Sequence, residues 1–204
     1  MADTHSRHSV PQTPHFLVPK TEPFFLGYEM LDPAQFAAFI HPASALLPPI
    51  AQSALAYHGS DHPTPGIPSN PRMQLARLWL QQGTYLDYWT GAHEPSLSSA
   101  LRALLPAPNT EHLEDAVPPA HRAIFPQLLV APDWPPVIHV HGSEDSAVPA
   151  DSSRAMHARL CAAKVESVLR IAEGSEHSFD LKKSAEAAFG ELFDEVVEFL
   201  RVRL

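Results

Sequence analysis

The sequence predicts an α/β chain. A proline-rich, mainly helical stretch over residues 23–135 leads into a β-α-β-α unit with short parallel strands over residues 136–204. Three observations carry this. Of the 22 prolines among 204 residues, 21 lie at or before position 136. Proline lacks an N–H and fixes φ, so the first part is broken into short pieces and the tail is left able to form long elements. Two short β-branched, apolar runs, PVIHVHG (136–142) and VESVLRI (165–171), read as strands flanking a helical pattern. Residues 183–202 then repeat Ala185, Ala188, Phe189, Leu192, Phe193, Val196, Phe199 and Leu200 at helical spacing, which is an amphipathic helix.

The elements follow in order. Residues 1–22 are polar, contain proline and histidine, and are expected to be mobile at the start. Residues 23–58 predict short helical turns between prolines, with Leu31, Phe36, Phe39 and Ile40 as one apolar side. GSDHPTPGIPSNP (59–71) is loop by composition. Asn70-Pro71 is a helix start, and the helix carries Leu75, Leu78 and Trp79 on one side and ends near Gly83. Residues 96–105 predict another short helix with Leu97, Leu101, Leu104 and Leu105, and residues 118–125 a turn or two more. In the tail, residues 151–163 predict a helix with Asp151 as its cap and Ser152, Met156, Leu160 and Ala163 on one face. A helical crossover between two strands implies a parallel pair and a right-handed connection.

Composition excludes several classes. The eight glycines stand at 27, 59, 66, 83, 91, 142, 174 and 190. With that spacing no G-x-S-x-G elbow, dinucleotide fingerprint or P-loop can be written. Fourteen basic against 23 acidic residues leave a net charge of −9, so nucleic acid and anionic membrane are not expected partners. Cys161 stands alone, so no internal disulfide is expected, and no signal peptide or apolar span is evident. A cytoplasmic protein without a cofactor is the expectation.

The chemistry is expected where the two tail strands end, because ligands of open parallel sheets bind beyond the carboxyl ends of the strands. After His141-Gly142 come Ser143, Glu144 and Asp145, and the loop after the second strand reads EGSEHSFD, with His177 in its middle. Adjacent parallel strands would deliver Asp145 and His177 to one edge. A carboxylate there can accept the imidazole Nδ1–H and leave Nε2 as a general base. Asp151 is a rival acid better explained as a helix cap. Ser143, Ser146 and Ser178 read as turn serines, and Ser44 has no elbow context.

Over residues 136–204, HVHGSEDSAVPADSSRAMHARL followed by EGSEHSFD resembles the C-terminal part of serine hydrolases of the α/β-hydrolase fold. The likeness is to prolyl-oligopeptidase-like, dienelactone-hydrolase-like and esterase-like members, whose pattern of H-G, acid, V-P, helix, strand and G-x-x-H-x-F is matched by His141-Gly142, Asp145, Val148-Pro149, Gly174, His177 and Phe179. Residues 20–135, through PKTEPFFLGYEMLDP and NPRMQLARLWLQQGTYLDYW, resemble the lid some members insert. The resemblance implies ester or peptide hydrolysis, Asp145 and His177 as catalytic residues, and Trp79, Tyr85, Tyr88 and Trp89 as lid contacts to a small ester or peptide substrate. It also implies a missing nucleophile half and an isolated chain without activity.

Two other readings stand beside it. An exposed strand edge would make an interaction module, completed by a second copy of the chain or by a separately encoded first half. His139 and His141, two apart on a strand, would with His177 form the ligand set of a metal-dependent hydrolase.

Overall fold

The structure, a computed structural model, describes residues 15–48, 60, 71–105 and 111–203. The helix start at Asn70, most of the 59–71 loop, the end of the 23–58 turn region and residues 1–14 lie outside the described residues. The described residues fall into two compact units. One lies within Thr13–Pro23 and Glu29–Ala107, the other within Phe24–Tyr28 and Pro108–Leu204.

The first unit is built from short pieces, as its prolines require. Asp32 caps a 3₁₀ turn, Pro33–Phe39, by accepting the Ala34 N–H at 2.9 Å, and a second turn spans Ala43–Leu46. A 3₁₀ turn at Pro71–Gln74 leads into helix α1 (Leu75–Gln82), closed by Gly83, and helices α2 (Tyr85–Thr90) and α3 (Leu97–Arg102) follow. Phe36, Leu75 and Leu78 form one buried apolar cluster, with Leu31, Phe39, Ile40 and Trp79 packed against it. Helix α3 stops at Arg102, one turn earlier than its leucine stripe predicts, and Leu104 is exposed.

A buried acid that periodicity does not single out ties α2 to the start of α3. Asp87, only 4% exposed, accepts the Ser98 N–H at 2.6 Å and the Ser96 hydroxyl at 2.8 Å. Ser96 in turn caps α3 by accepting the Ser99 N–H at 3.0 Å. The carboxylate thus satisfies one orphan backbone donor at the N-terminus of α3 and fixes the hydroxyl of its capping serine. Asp87→Ala strands those donors and is expected to lower stability by about 1–3 kcal/mol, read from urea denaturation.

The second unit carries the sheet. Helix α4 (Glu111–Asp115) and two 3₁₀ turns, Pro119–Ile124 and Pro126–Leu128, precede strand β1 (Val137–Gly142). Helix α5 (Ala150–Ala162), strand β2 (Ser167–Ala172), a 3₁₀ turn at Phe179–Leu181 and helix α6 (Ala185–Arg203) complete it. β1 and β2 pair in parallel, from Val137 opposite Ser167 to Gly142 opposite Ala172. The described residues therefore make an α/β arrangement of helices and one two-stranded parallel sheet.

Two details depart from the sequence expectations. Pro149, not Asp151, stands at the α5 cap; Asp151 lies in the first turn, where it faces Arg154 at 3.2 Å. Helix α6 is kinked at Phe189 (φ −133°, ψ 20°), next to Gly190, and Phe189 meets Phe179 edge-to-face at 4.8 Å. Among the described residues, no helix is long and apolar enough to cross a membrane.

Candidate functional site

Both strands of the sheet end at the same level, since Gly142 pairs with Ala172. The loops that leave them are therefore neighbours. The Ser143 N–H donates to Ala172 O at 3.0 Å, the Glu144 N–H to Ser175 O at 2.9 Å, and the Gly174 N–H to Ser143 Oγ at 2.8 Å. Gly142 makes this seam feasible: a Cβ there would lie 2.3 Å from the Ser175 carbonyl oxygen.

The seam brings Asp145 and His177 together. Asp145 Oδ2 lies 3.0 Å from His177 Nδ1. The acid is buried, with its side chain 8% exposed, while the imidazole is 33% exposed. Asp145 Oδ1 accepts two backbone donors, Ala147 N–H at 2.9 Å and Val148 N–H at 2.7 Å. With Nδ1–H donating to the carboxylate, His177 presents an unprotonated Nε2 when neutral.

Burial pushes the Asp145 carboxyl upward. The Val148 N–H, the His177 imidazole through its hydrogen bond and charge, and the Ala147 N–H outweigh that and hold it below its ordinary value of 3.8. A lowered folded-state value means the unfolded chain binds the proton more readily. The stability contributed by Asp145 is therefore complete above the ordinary carboxylate range and is lost as pH falls through the lowered value. We expect the stability difference between the wild type and Asp145→Asn to be larger at pH 6 than at pH 3, roughly the two sides of that range, read from urea midpoints.

Glu176 fastens the two loops from the other side. Its carboxylate accepts the Ser146 N–H at 2.9 Å, the Ser146 hydroxyl and the N–H of His177. Ser146, expected as a plain turn serine, thus links the acid loop to the residue preceding the imidazole. Phe179 is buried two residues beyond His177 and anchors the loop on Phe189. Ser178, between them, has a left-handed φ of 58°, a strained conformation of the kind that concentrates at functional sites.

The other histidines do not assemble a ligand set. His141 does approach Asp145 Oδ2, at 3.3 Å through Nε2, but its nitrogens also meet Val148 O at 2.9 Å and Ser153 Oγ at 2.7 Å. It ties the end of β1 to α5. The Nε2 of His139 is buried and finds no hydrogen-bond partner among the described residues. Burial, followed by the neighbouring His157 and His141, holds that imidazole below its ordinary value. Among the described residues no group of three or more His, Cys, Asp or Glu side chains is arranged to hold a metal.

The four aromatics expected as lid contacts belong to the first unit. Trp79 stacks on Tyr88 at 4.3 Å and Tyr85 on Trp89 at 5.6 Å, and Trp79 also packs on the buried apolar cluster of that unit. Tyr88 OH accepts the His41 N–H at 2.9 Å, and Trp89 is 60% exposed.

Three relatives are similar to part of the chain. The non-reducing polyketide synthase trt4 of Aspergillus terreus is 29% identical over 150 residues, covering 65% of this chain and 6% of the synthase. The non-reducing polyketide synthase ausA of Aspergillus calidoustus is 29% identical over 120 residues, covering 56% of this chain and 5% of the synthase. The non-reducing polyketide synthase prhL of Penicillium brasilianum is 28% identical over 142 residues, covering 66% and 6%. The chain therefore spans about one-twentieth of the length of these relatives. No family model matches the chain. No solved structure matches it either.

These relatives correct the identification made from motifs. They are polyketide synthases, so the assignment to serine hydrolases of the α/β-hydrolase fold, with ester or peptide hydrolysis as its activity, is withdrawn. The physical reason is that a strand, a short acid loop, a crossover helix, a strand and a histidine loop put a carboxylate and an imidazole at one sheet edge whatever the reaction. The interaction module and the metal-dependent hydrolase on His139, His141 and His177 gain no better support from these relatives. What the chain is similar to is a short stretch within non-reducing polyketide synthases.

Proposed function

We propose that this chain is an acyl-transfer segment related to part of a polyketide synthase, with His177 as the proton-transfer residue and Asp145 as the residue that orients it. The observation that carries the reading is the 3.0 Å contact between the buried Asp145 carboxylate and His177 Nδ1. The relatives are named polyketide synthases, which motivates an acyl group as the substrate class, and we take the donor to be a thioester.

Nε2 of His177 takes the proton of a hydroxyl acceptor as its oxygen attacks the acyl carbonyl. The carbon–oxygen bond forms, the carbon–sulfur bond breaks, and the same proton passes to the departing thiolate. Asp145 stabilises the imidazolium that exists between the two proton transfers.

The test uses the full chain with acetyl-N-acetylcysteamine thioester as donor and glycerol as acceptor, with released thiol measured by a thiol-reactive dye. Saturable thiol release above the buffer blank is expected. A rate equal to the blank at all donor concentrations overturns the reading.

A further inference from the structure

A carboxylate only accepts, and it has about four lone-pair positions, shared equally between its oxygens. At Asp145 those on Oδ1 are taken by the Ala147 and Val148 N–H groups. On Oδ2, His177 Nδ1 lies at 3.0 Å, and a second imidazole, His141, brings its Nε2 to 3.3 Å. His141 is mounted differently from His177. It stands in β1, opposite Ile171 in the ladder, and its side chain is only 12% exposed. Its neighbours fix its proton. The described groups at Nε2 are both acceptors, the Val148 carbonyl at 2.9 Å and Asp145 Oδ2, so Nε2 carries a hydrogen. Nδ1 meets Ser153 Oγ of α5 at 2.7 Å, and a hydroxyl can donate there. Neutral His141 is therefore the Nε2–H tautomer, the opposite of His177. Its N–H donates to Val148 O, and Oδ2 rests beside the same positive hydrogen.

We propose that His141 is a positioning residue for the Asp145–His177 pair, its Nε2–H holding Val148 O and Asp145 Oδ2 together so that Oδ2 stays turned to His177 Nδ1. This deepens the reading of His177 as the proton-transfer residue and rests on it for the effect on turnover. Val148 is held at both ends: its N–H goes to Asp145 Oδ1 and its carbonyl takes the His141 N–H. One imidazole thus closes the acid loop onto the strand that precedes it. A side chain on a strand, itself locked by Ser153, fixes that loop more tightly than the loop fixes itself. Without the donor, Val148 O loses its partner and Oδ2 loses one of its two neighbours. The carboxylate is then free to turn, and the imidazole that it orients turns with it. A misplacement of about 1 Å at such a group can cost on the order of 10²-fold in rate.

The test compares the full chain, labelled with nitrogen-15 at histidine, with two variants. His141→Gln keeps an N–H donor near the Nε2 position, and His141→Phe keeps a ring but no donor. NMR reads the tautomers and the Nδ1–H proton of His177, and thiol release from acetyl-N-acetylcysteamine thioester reads kcat and KM. In the wild type we expect His141 as Nε2–H and His177 as Nδ1–H. His141→Phe is expected to shift or broaden the His177 Nδ1–H signal and to lower kcat by about 10- to 100-fold with KM unchanged. His141→Gln is expected to restore the signal and most of kcat. An Nδ1–H tautomer of His141 in the wild type overturns the proposal. So does a folded His141→Phe that keeps the wild-type His177 signal or, in an active chain, the wild-type kcat. A His141→Gln variant as impaired as His141→Phe overturns it too, and where His141→Phe does not fold, the wild-type tautomer and His141→Gln decide. A chain that releases no thiol, yet shows both tautomers and loses the His177 signal only in His141→Phe, upholds the positioning role and overturns only the acyl-transfer reading.

Discussion

Asp145→Asn is expected to leave the chain folded and to lower thioester turnover by about 10²- to 10⁴-fold. The size follows from which oxygen does what. Oδ1 accepts the Ala147 and Val148 N–H groups, so an asparagine must keep its carbonyl oxygen on that side. Its NH₂ then faces His177 Nδ1, where Oδ2 stood. Two donors cannot share that contact, so the imidazole changes tautomer, places its proton on Nε2 and loses the lone pair needed by the acceptor hydroxyl. Turnover measured at pH 7–8 gives the loss, and nitrogen-15 NMR of His177 gives the tautomer. An unchanged rate with an unchanged tautomer would mean that the carboxylate does not orient the ring.

Gly142→Ala is expected to be the most damaging substitution of its size. The new methyl would lie 2.3 Å from Ser175 O and 2.8 Å from Ser175 C. Both are backbone atoms, so no side chain can turn aside to make room. Either the chain is destabilised, by roughly 2–4 kcal/mol, or the 173–178 loop moves away and takes His177 from Asp145. Urea denaturation reads the first outcome and loss of thioester turnover the second. A variant with wild-type stability and rate would contradict the close approach of the two loops.

The two substitutions also separate what spacing reveals from what it hides. Asp145 and His177 are legible as neighbours because each lies in the loop that leaves a strand end, and parallel pairing brings those ends together. Helix α6 is legible because its apolar residues recur at helical period, though not its kink at Phe189, which depends on Phe179 packing against it. Glu176 and Ser146 are not legible. Each is a short polar residue in a loop, and their roles arise from a contact across 30 positions. Phe25 is further removed still, since its neighbour His177 belongs to a distant part of the chain. Asp87 is hidden for the same kind of reason: it lies in helix α2, yet it caps the helix after it. The family assignment failed on a different ground, because local order of strand, acid and histidine describes a geometry and not a reaction.

The most direct measurement is thiol release from acetyl-N-acetylcysteamine thioester by His177→Ala beside the wild type, at equal concentration and with folding checked by circular dichroism. The proton-transfer assignment predicts that the variant keeps the wild-type spectrum and falls to the rate of the buffer blank. A variant that is folded and releases thiol as fast as the wild type contradicts it.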